Sequence, residues 1–408
     1  MPPLALYLHI PFCAVRCHYC DFNTYAGLDG MFEEYAAALV AEIRGAGAAR
    51  RHPPASTVFL GGGTPTVLSP PLLASALDAC RASFAVAPDA EITSEANPGT
   101  ADAEVFAALR DMGVNRLSMG AQSFDDAELK WLGRIHDAAE AEAAFAAARR
   151  AGFANINLDF MFGLPGQQTS TWRNTLDRAV ALGPEHISLY SLTVEHGTPL
   201  YDAVRRGRQP PPDDDVAADF YLLASDLLSK AGYEHYEISN WSRRPLAPGG
   251  HPERSVGESK DASPTQAHAD YRCRHNLVYW RHEPYLGFGA GAHSYAGGRR
   301  WWNVRPVPQY IQRLRADQSP ERGSEDIDDR LAMGEFMMLG LRLVGEGVDP
   351  ARFAARFGQP LDRVFAGEIA DLTRRGLLEQ SNGHLRLTIE GRLLGNQVFA
   401  EFLPASDD

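Results

Sequence analysis

Cysteine is scarce in this chain, five in 408 residues, and a disulfide framework is excluded because Cys80 and Cys273 stand alone and leave no regular pairing. Long apolar runs are missing too. No stretch approaches the roughly 18 consecutive apolar residues that a membrane-spanning helix needs. The opening MPPLALYLHI has neither a basic n-region nor a small-residue cleavage site, so a cytoplasmic location is expected. Positive charge is in deficit, 39 Lys and Arg against 52 Asp and Glu. That excludes a broad nucleic-acid surface, which needs cations to replace counterions, and no nucleic-acid partner is expected. The acidity sets no limit on small ligands.

Three of the five cysteines are nevertheless packed into HIPFCAVRCHYCDFN with the spacing C-x3-C-x2-C, as Cys13, Cys17 and Cys20. Three thiolates can hold three irons of a 4Fe-4S cluster and leave the fourth open to a small molecule. Zinc is a rival occupant, but structural zinc takes four ligands, usually from paired C-x2-4-C groups, and only His18 is near. Ordinary buried cysteines are the third reading. Spacing alone leaves all three standing.

Between residue 4 and about 240, short apolar runs alternate with segments of helical period, six times in series, beginning with LALYLHI and FEEYAAALVAEIRGA. Several helical segments stop at a glycine, as at Gly113, Gly152, Gly183 and Gly232. Such repetition predicts a parallel sheet with helical crossovers. Gly61, Glu95, Gln122 and Asp159 are placed at or just past the ends of their strands, on the face where parallel α/β folds bind ligands. The fold expected is α/β, a partial parallel (β/α)6 barrel with a small C-terminal α+β domain of winged-helix character. Four segments follow: a core barrel over 1–240, and a Pro-, Gly- and Ser-rich flexible insertion over 241–271. Next come an aromatic segment completing the core over 272–320 and a C-terminal domain over 321–408 with a hairpin at Asn382-Gly383.

GGGTPT, Gly61 to Thr66, follows the second strand, and its glycines permit a backbone approach that side chains would block. On its own it is equally a tight strand-to-helix turn. The cysteine loop after the first strand and GGGTPT after the second together resemble the radical S-adenosylmethionine (SAM) superfamily. The resemblance implies a 4Fe-4S cluster on Cys13, Cys17 and Cys20, with SAM chelating the open iron and cleaved after one-electron reduction to methionine and a 5′-deoxyadenosyl radical. It further implies that Gly62, Gly63 and Thr64 line the methionyl end, that Tyr7 and Tyr19 flank the cofactor, and that Glu95, Gln122, Arg134 and Asp159 contact SAM.

YLHIPFC, SMGAQSF, DFMFGLPGQ, YEISNW, CRHNLVYW and YLGFGAGAHSY extend the likeness over nearly the whole chain. They are similar to the family that contains oxygen-independent coproporphyrinogen III dehydrogenase (HemN) and the haem chaperone HemW. In the dehydrogenase a further cysteine stands two positions after the third cluster ligand; here that position is Phe22. HNLVYW fits the H-N-x-x-Y-W motif of the chaperone branch. The resemblance therefore implies haem as a third cofactor, with His275 as the axial candidate, Asn276 beside it, and Tyr279 and Trp280 stacking on the macrocycle. Cys273 and His293 are rivals for the iron, and RRWWN, Arg299 to Asn303, offers indoles and cations to a porphyrin. A histidine ahead of aromatics is also commonly a packed residue with both nitrogens satisfied. The function expected is haem binding and delivery to an acceptor protein, a membrane-associated one among the options, by a monomer or homodimer. Coproporphyrinogen decarboxylation is the alternative, and no catalytic residue is assigned.

Overall fold

A computed structural model describes residues 3–244 and 270–404. Six strands, β1 (Leu4–Ile10), β2 (Pro54–Gly62), β3 (Ala85–Ala96), β4 (Arg116–Gln122), β5 (Ile156–Phe162) and β6 (His186–Ser191), lie side by side in chain order and all parallel. Helices such as Phe32–Ala49, Pro70–Ser83 and Thr169–Leu182 make the crossovers. The row is extended beyond β6 by β7 (Tyr233–Glu237) and β8 (Asn240–Arg243). Beyond β1 it continues through β9 (Tyr285–Phe288), parallel to β1, and antiparallel β10 (His293–Ala296), β11 (Arg299–Asn303) and β12 (Glu321–Asp326). The sheet begins at β12 and ends at β7 without joining. The partial (β/α)6 barrel is thus present, with strands added at both edges.

The insertion expected over 241–271 lies, for 245–269, outside the described residues. Before it, Trp241 and Ser242 belong to β8 and are buried. After the sheet, helix Asp329–Leu341 opens a C-terminal unit with its own apolar core around Phe336, Phe353, Phe365 and Phe402. Its hairpin, β13 (Leu378–Ser381) with β14 (His384–Leu387), turns through Asn382 and Gly383, both at positive φ as a two-residue turn of this kind requires. No helix among the described residues is long and apolar enough to cross a membrane.

Period-two alternation decides what the sheet presents on each face. Leu6, Leu8, Ile10, Val58, Leu60, Ile92, Leu117, Met119, Ile156, Leu158, Ile187 and Leu189 enter the main apolar core. The residues between them face the other way and are polar or small: Tyr7 and His9, Glu91 and Glu95, Arg116 and Ser118, Asn157 and Asp159, His186 and Ser188. Their register keeps them level across strands, Thr93 opposite Arg116, Glu95 opposite Ser118 and Asp159 opposite Ser188. Asn157 holds this lining together. Its Nδ2 donates to Ser118 Oγ at 2.8 Å and Asp159 Oδ1 at 2.7 Å, and its Oδ1 accepts from His186 Nδ1 at 2.6 Å. The opposite nitrogen of His186 meets the Tyr236 hydroxyl at 2.9 Å.

A second polar group, the half-buried Glu42, ties the β9–β11 region to the first long helix. Its carboxylate accepts from Gly289 N at 2.8 Å, Asn303 Nδ2 at 2.7 Å and Tyr310 Oη at 2.6 Å. Burial nevertheless outweighs these donors and pushes its carboxyl up from 4.5 to about 7. The folded state therefore holds the proton more tightly than the unfolded chain. This contribution to stability is complete below pH 4.5 and is lost as pH rises through about 7. At most it amounts to roughly 3 kcal/mol. Glu42→Gln should remove it. Urea unfolding at pH 5.5 and pH 8 should show a smaller loss between the two for the variant than for the parent, and an equal loss would refute the assignment.

Candidate functional site

The loop after β1 is pinned at both ends. Cys13 N donates to Tyr25 O at 3.0 Å, and Asn23 Nδ2 reaches Ala290 O at 2.9 Å and Arg305 O at 3.1 Å. His9, buried behind it, contacts Tyr7 Oη through Nδ1 and Asn23 O through Nε2, each at 3.0 Å. Burial lowers the His9 pKa to about 4, so the ring is neutral. The GGGTPT turn docks against this loop through its backbone, Gly63 N to Ile10 O at 2.8 Å and Thr64 N to Phe12 O at 2.7 Å. Glycine is required here: a Cβ at Gly63 would stand 2.4 Å from Phe12 O, and one at Gly62, where φ is +113°, 2.4 Å from the His9 ring. The two motifs that are 50 residues apart in sequence are one packed unit in space.

Cys13, Cys17 and Cys20 are free and partly exposed. Each sulfur has its own partner: Thr64 Oγ1 donates to Cys13 Sγ at 3.9 Å, Arg134 Nη1 to Cys17 Sγ at 3.5 Å, and Thr24 Oγ1 lies 3.7 Å from Cys20 Sγ. Among the described residues no three His, Cys, Asp or Glu side chains converge on a single-ion site. Tyr19 sits beside Cys17, its phenol pushed well up by burial and by that neighbouring sulfur. Glu95 Oε2 accepts from Gly62 N at 3.0 Å, and burial together with the charge of Asp159 raises its carboxyl to about 8. Gln122 ends β4 at φ +68°, beside Gly120, whose missing Cβ leaves room for Gln122, Asn97 and Arg134. Asp159 departs from expectation. Strand β5 continues to Phe162, so Asp159 is mid-strand and lines the interior with Ser118 and Asn157 rather than standing at the mouth.

The H-N-x-x-Y-W motif forms helix Arg274–Trp280, gripped at both ends. Glu91, on the polar face of β3, accepts from Arg274 N and His275 N at 3.0 Å each, capping the helix from across the interior. Arg352 and Arg356 of the C-terminal unit donate to Arg281 O at 2.8 Å and His282 O at 2.7 Å. His275 is 1% exposed, with Nδ1 2.8 Å from Thr57 Oγ1 and Nε2 2.9 Å from Tyr279 Oη. Burial lowers its pKa to about 3. It is a packed, neutral ring with both nitrogens engaged, which alters the expectation of an open iron ligand. Trp280 likewise turns toward the C-terminal unit, where the Arg342 guanidinium lies 4.4 Å from its ring centre. Cys273 is buried under the same helix.

Glu91 also offsets Arg116, which is 1% exposed and has Nε and Nη1 without a hydrogen-bond partner. Glu91→Ala would strand two helix N–H groups and that buried guanidinium. The expected loss is roughly 3–5 kcal/mol in urea unfolding; a loss below about 1 kcal/mol, the scale of an ordinary surface pair, would show the cap to be dispensable.

A cavity of about 460 Å³ joins these parts. Tyr7, Phe22, Glu95, Tyr279, His293 and Trp302 are on its walls, with Arg305 at the rim. Phe22 is 65% exposed there. His293 is exposed and stacks on Trp302 at 5.7 Å and 23°; partial burial and the nearby Arg300 and Arg305 lower its pKa, so its ring is neutral near pH 7. Of the sequence-predicted haem residues, Tyr279 and His293 share this cavity, whereas His275, Asn276 and Trp280 do not line it. Sequence reasoning missed Thr57, Glu91, Arg116, Asn157 and His186, all readable as polar positions alternating within apolar strands.

The Radical SAM superfamily profile matches residues 7–179, and the HemN C-terminal domain profile matches 327–394. Fold and site thus define a radical SAM protein. The solved structure of coproporphyrinogen III oxidase HemN from Escherichia coli superposes with a TM-score of 0.77, covering 98% of this chain and 90% of that one at 24% identity. That likeness shows the fold. In sequence the chain is 38% identical to heme chaperone HemW of Bacillus subtilis, over 97% of this chain and 98% of that protein. It is 40% identical to HemW of Mycobacterium tuberculosis H37Rv (98% and 95%) and 36% to HemW of Escherichia coli K12 (99% and 99%). The chain belongs to the HemW family.

Proposed function

We propose that this protein binds one haem in the cavity beside the cysteine loop and passes it to an acceptor protein, as the name of its relatives suggests. In this reading a 4Fe-4S cluster is held by Cys13, Cys17 and Cys20, and SAM by the GGGTPT backbone with Glu95, Gln122 and Arg134. The donor set fits: three free thiols on one pinned loop, a glycine turn whose backbone is open where side chains would intrude, and hydrogen-bond donors already aimed at two of the sulfurs. When bound, the reduced cluster supplies one electron to the sulfonium of SAM. The chain's own residues keep the Gly62 amide turned toward the Glu95 carboxyl, whose oxygens would accept further hydrogen bonds from the cofactor.

The observation that carries the haem reading is the cavity itself. Phe22 of the cysteine loop, Tyr279 and Trp302 all line it, so aromatic side chains adjoin the cofactor loops. A pocket of this size and character suits a large planar ligand. His293 presents a neutral imidazole to it, and Arg305 can pair with a propionate. Phe22 occupies the position where the dehydrogenase branch has a cysteine. Adding haem to the protein should give a shifted Soret band that saturates at one haem per chain. An unshifted, free-haem spectrum at stoichiometric haem would refute the proposal, as would protoporphyrinogen formation from coproporphyrinogen III, SAM and a reductant under anaerobic conditions.

A further inference from the structure

The amide of Asn97 lies between two of the three cysteine sulfurs without touching either. Its Nδ2 donates to Thr64 Oγ1 at 2.7 Å, and Thr64 in turn donates its hydroxyl proton toward Cys13 Sγ at 3.9 Å. Its Oδ1 accepts from Arg134 Nη2 at 2.5 Å, while Nη1 of the same guanidinium points at Cys17 Sγ at 3.5 Å. One continuous hydrogen-bonded path therefore runs Cys13, Thr64, Asn97, Arg134, Cys17. The amide has one workable orientation: arginine only donates, so Oδ1 must face Arg134 and Nδ2 must face Thr64. That in turn occupies one lone pair of the Thr64 oxygen and leaves its proton free to turn to sulfur.

The backbone makes room for this arrangement. A Cβ at Gly120 would lie 2.7 Å from Asn97 Oδ1 and 3.4 Å from Arg134 Nη2. Gly120 O also accepts from Arg134 Nη2 at 2.9 Å, which fixes the second edge of the guanidinium. Asn97 directly follows β3, and Gly120 lies on β4, the strand adjacent to it.

We infer that Asn97 is a positioning residue that aims the Thr64 and Arg134 donors at two cluster-ligand sulfurs and thereby sets the reduction potential of the cluster. The inference rests on the cluster reading above. Hydrogen bonds to ligating sulfur and nearby positive charge stabilise the reduced, more negative state and raise the potential. With Asn97 gone, both donors lose their fixed direction and the potential falls.

The test is an EPR-monitored redox titration of the anaerobically reconstituted full chain, with iron and sulfide content measured on each sample. Asn97→Ala with full iron and sulfide should need a lower potential for half-reduction. The expected shift is about 59 mV or more, a tenfold change in the reduced-to-oxidised ratio for a one-electron couple. Asn97→Ser, whose shorter side chain has a single polar atom where Asn97 uses two, should fall between. In a Thr64→Val, Arg134→Gln background, adding Asn97→Ala should shift the potential no further, because the residues through which it acts are already absent. An unshifted potential in fully loaded Asn97→Ala or Asn97→Ser overturns the inference, as does an additive shift in that background. Loss of the cluster from both single variants with native circular dichroism assigns Asn97 to cluster assembly and also overturns it. A parent protein that takes up neither iron nor sulfide refutes the cluster reading itself and the inference with it.

Discussion

Replacing Cys17 with alanine is expected to abolish the iron–sulfur centre: anaerobic reconstitution should give about four irons and four sulfides per parent chain and close to none for the variant. Visible charge-transfer absorption and the EPR signal of the reduced protein should vanish together. The cause is ligand counting. Three thiolates are the fewest that hold a 4Fe-4S centre with one iron left open, and Cys17 is the middle of a short loop whose ends are fixed by Tyr25 and Asn23, so no other sulfur can move into its place. Cys80 and Cys273 supply the control. Both are 1% exposed, and burial pushes each thiol up to about 12, leaving them protonated and out of reach. Cys80→Ala and Cys273→Ala should retain full iron and sulfide. An unaltered cluster in Cys17→Ala would refute the ligand set.

The second large effect separates two histidines. His293→Ala should weaken haem binding by tenfold or more, about 1.4 kcal/mol, and lose the shifted Soret band, because His293 is the imidazole standing on the cavity wall beside Trp302. His275→Ala should have a smaller effect on affinity. Its ring backs the cavity wall through the Tyr279 hydroxyl, 2.9 Å away, and beside the Tyr7 ring, 6.4 Å between centres, and its removal loosens that wall without deleting a ligand. The cost of His275→Ala should appear instead in stability, since Thr57 and Tyr279 both lose a buried partner. The reverse outcome, with the Soret band surviving in His293→Ala and lost in His275→Ala, would show that haem entry breaks the Tyr279 bond and takes the motif histidine.

Much of this site could be read in the sequence because its parts are local. Cys13, Cys17 and Cys20 announce themselves by spacing, and Gly62 and Gly63 by the lack of side chains where two loops touch. The hairpin at Asn382-Gly383 follows from the turn that these residues favour. Asp159 was less legible, since an acidic residue inside an apolar run looks the same in sequence whether the strand ends there or continues three residues to Phe162. The H-N-x-x-Y-W motif misleads for a related reason. It names six adjacent residues, but a helix distributes them around its axis, so Tyr279 faces the cavity, Trp280 faces the C-terminal unit and His275 lies between the sheet and Tyr279.

The alternating elements, the three-thiol loop, the glycine turn and the phenylalanine two positions after Cys20 can all be read from the chain alone, because they follow from residue type and short spacing. Which of these meet depends on how the sheet packs. Parallel register brings Glu91 under the helix at His275, 184 residues away. The antiparallel strands β10 and β11 carry His293 and Trp302 to the cavity beside the cysteine loop, and Asn97 comes to lie between Thr64 and Arg134. Hydrogen bonds and aromatic contacts act over a few ångströms regardless of chain separation, and it is the packing of the sheet, not the order of residues, that brings such partners within reach.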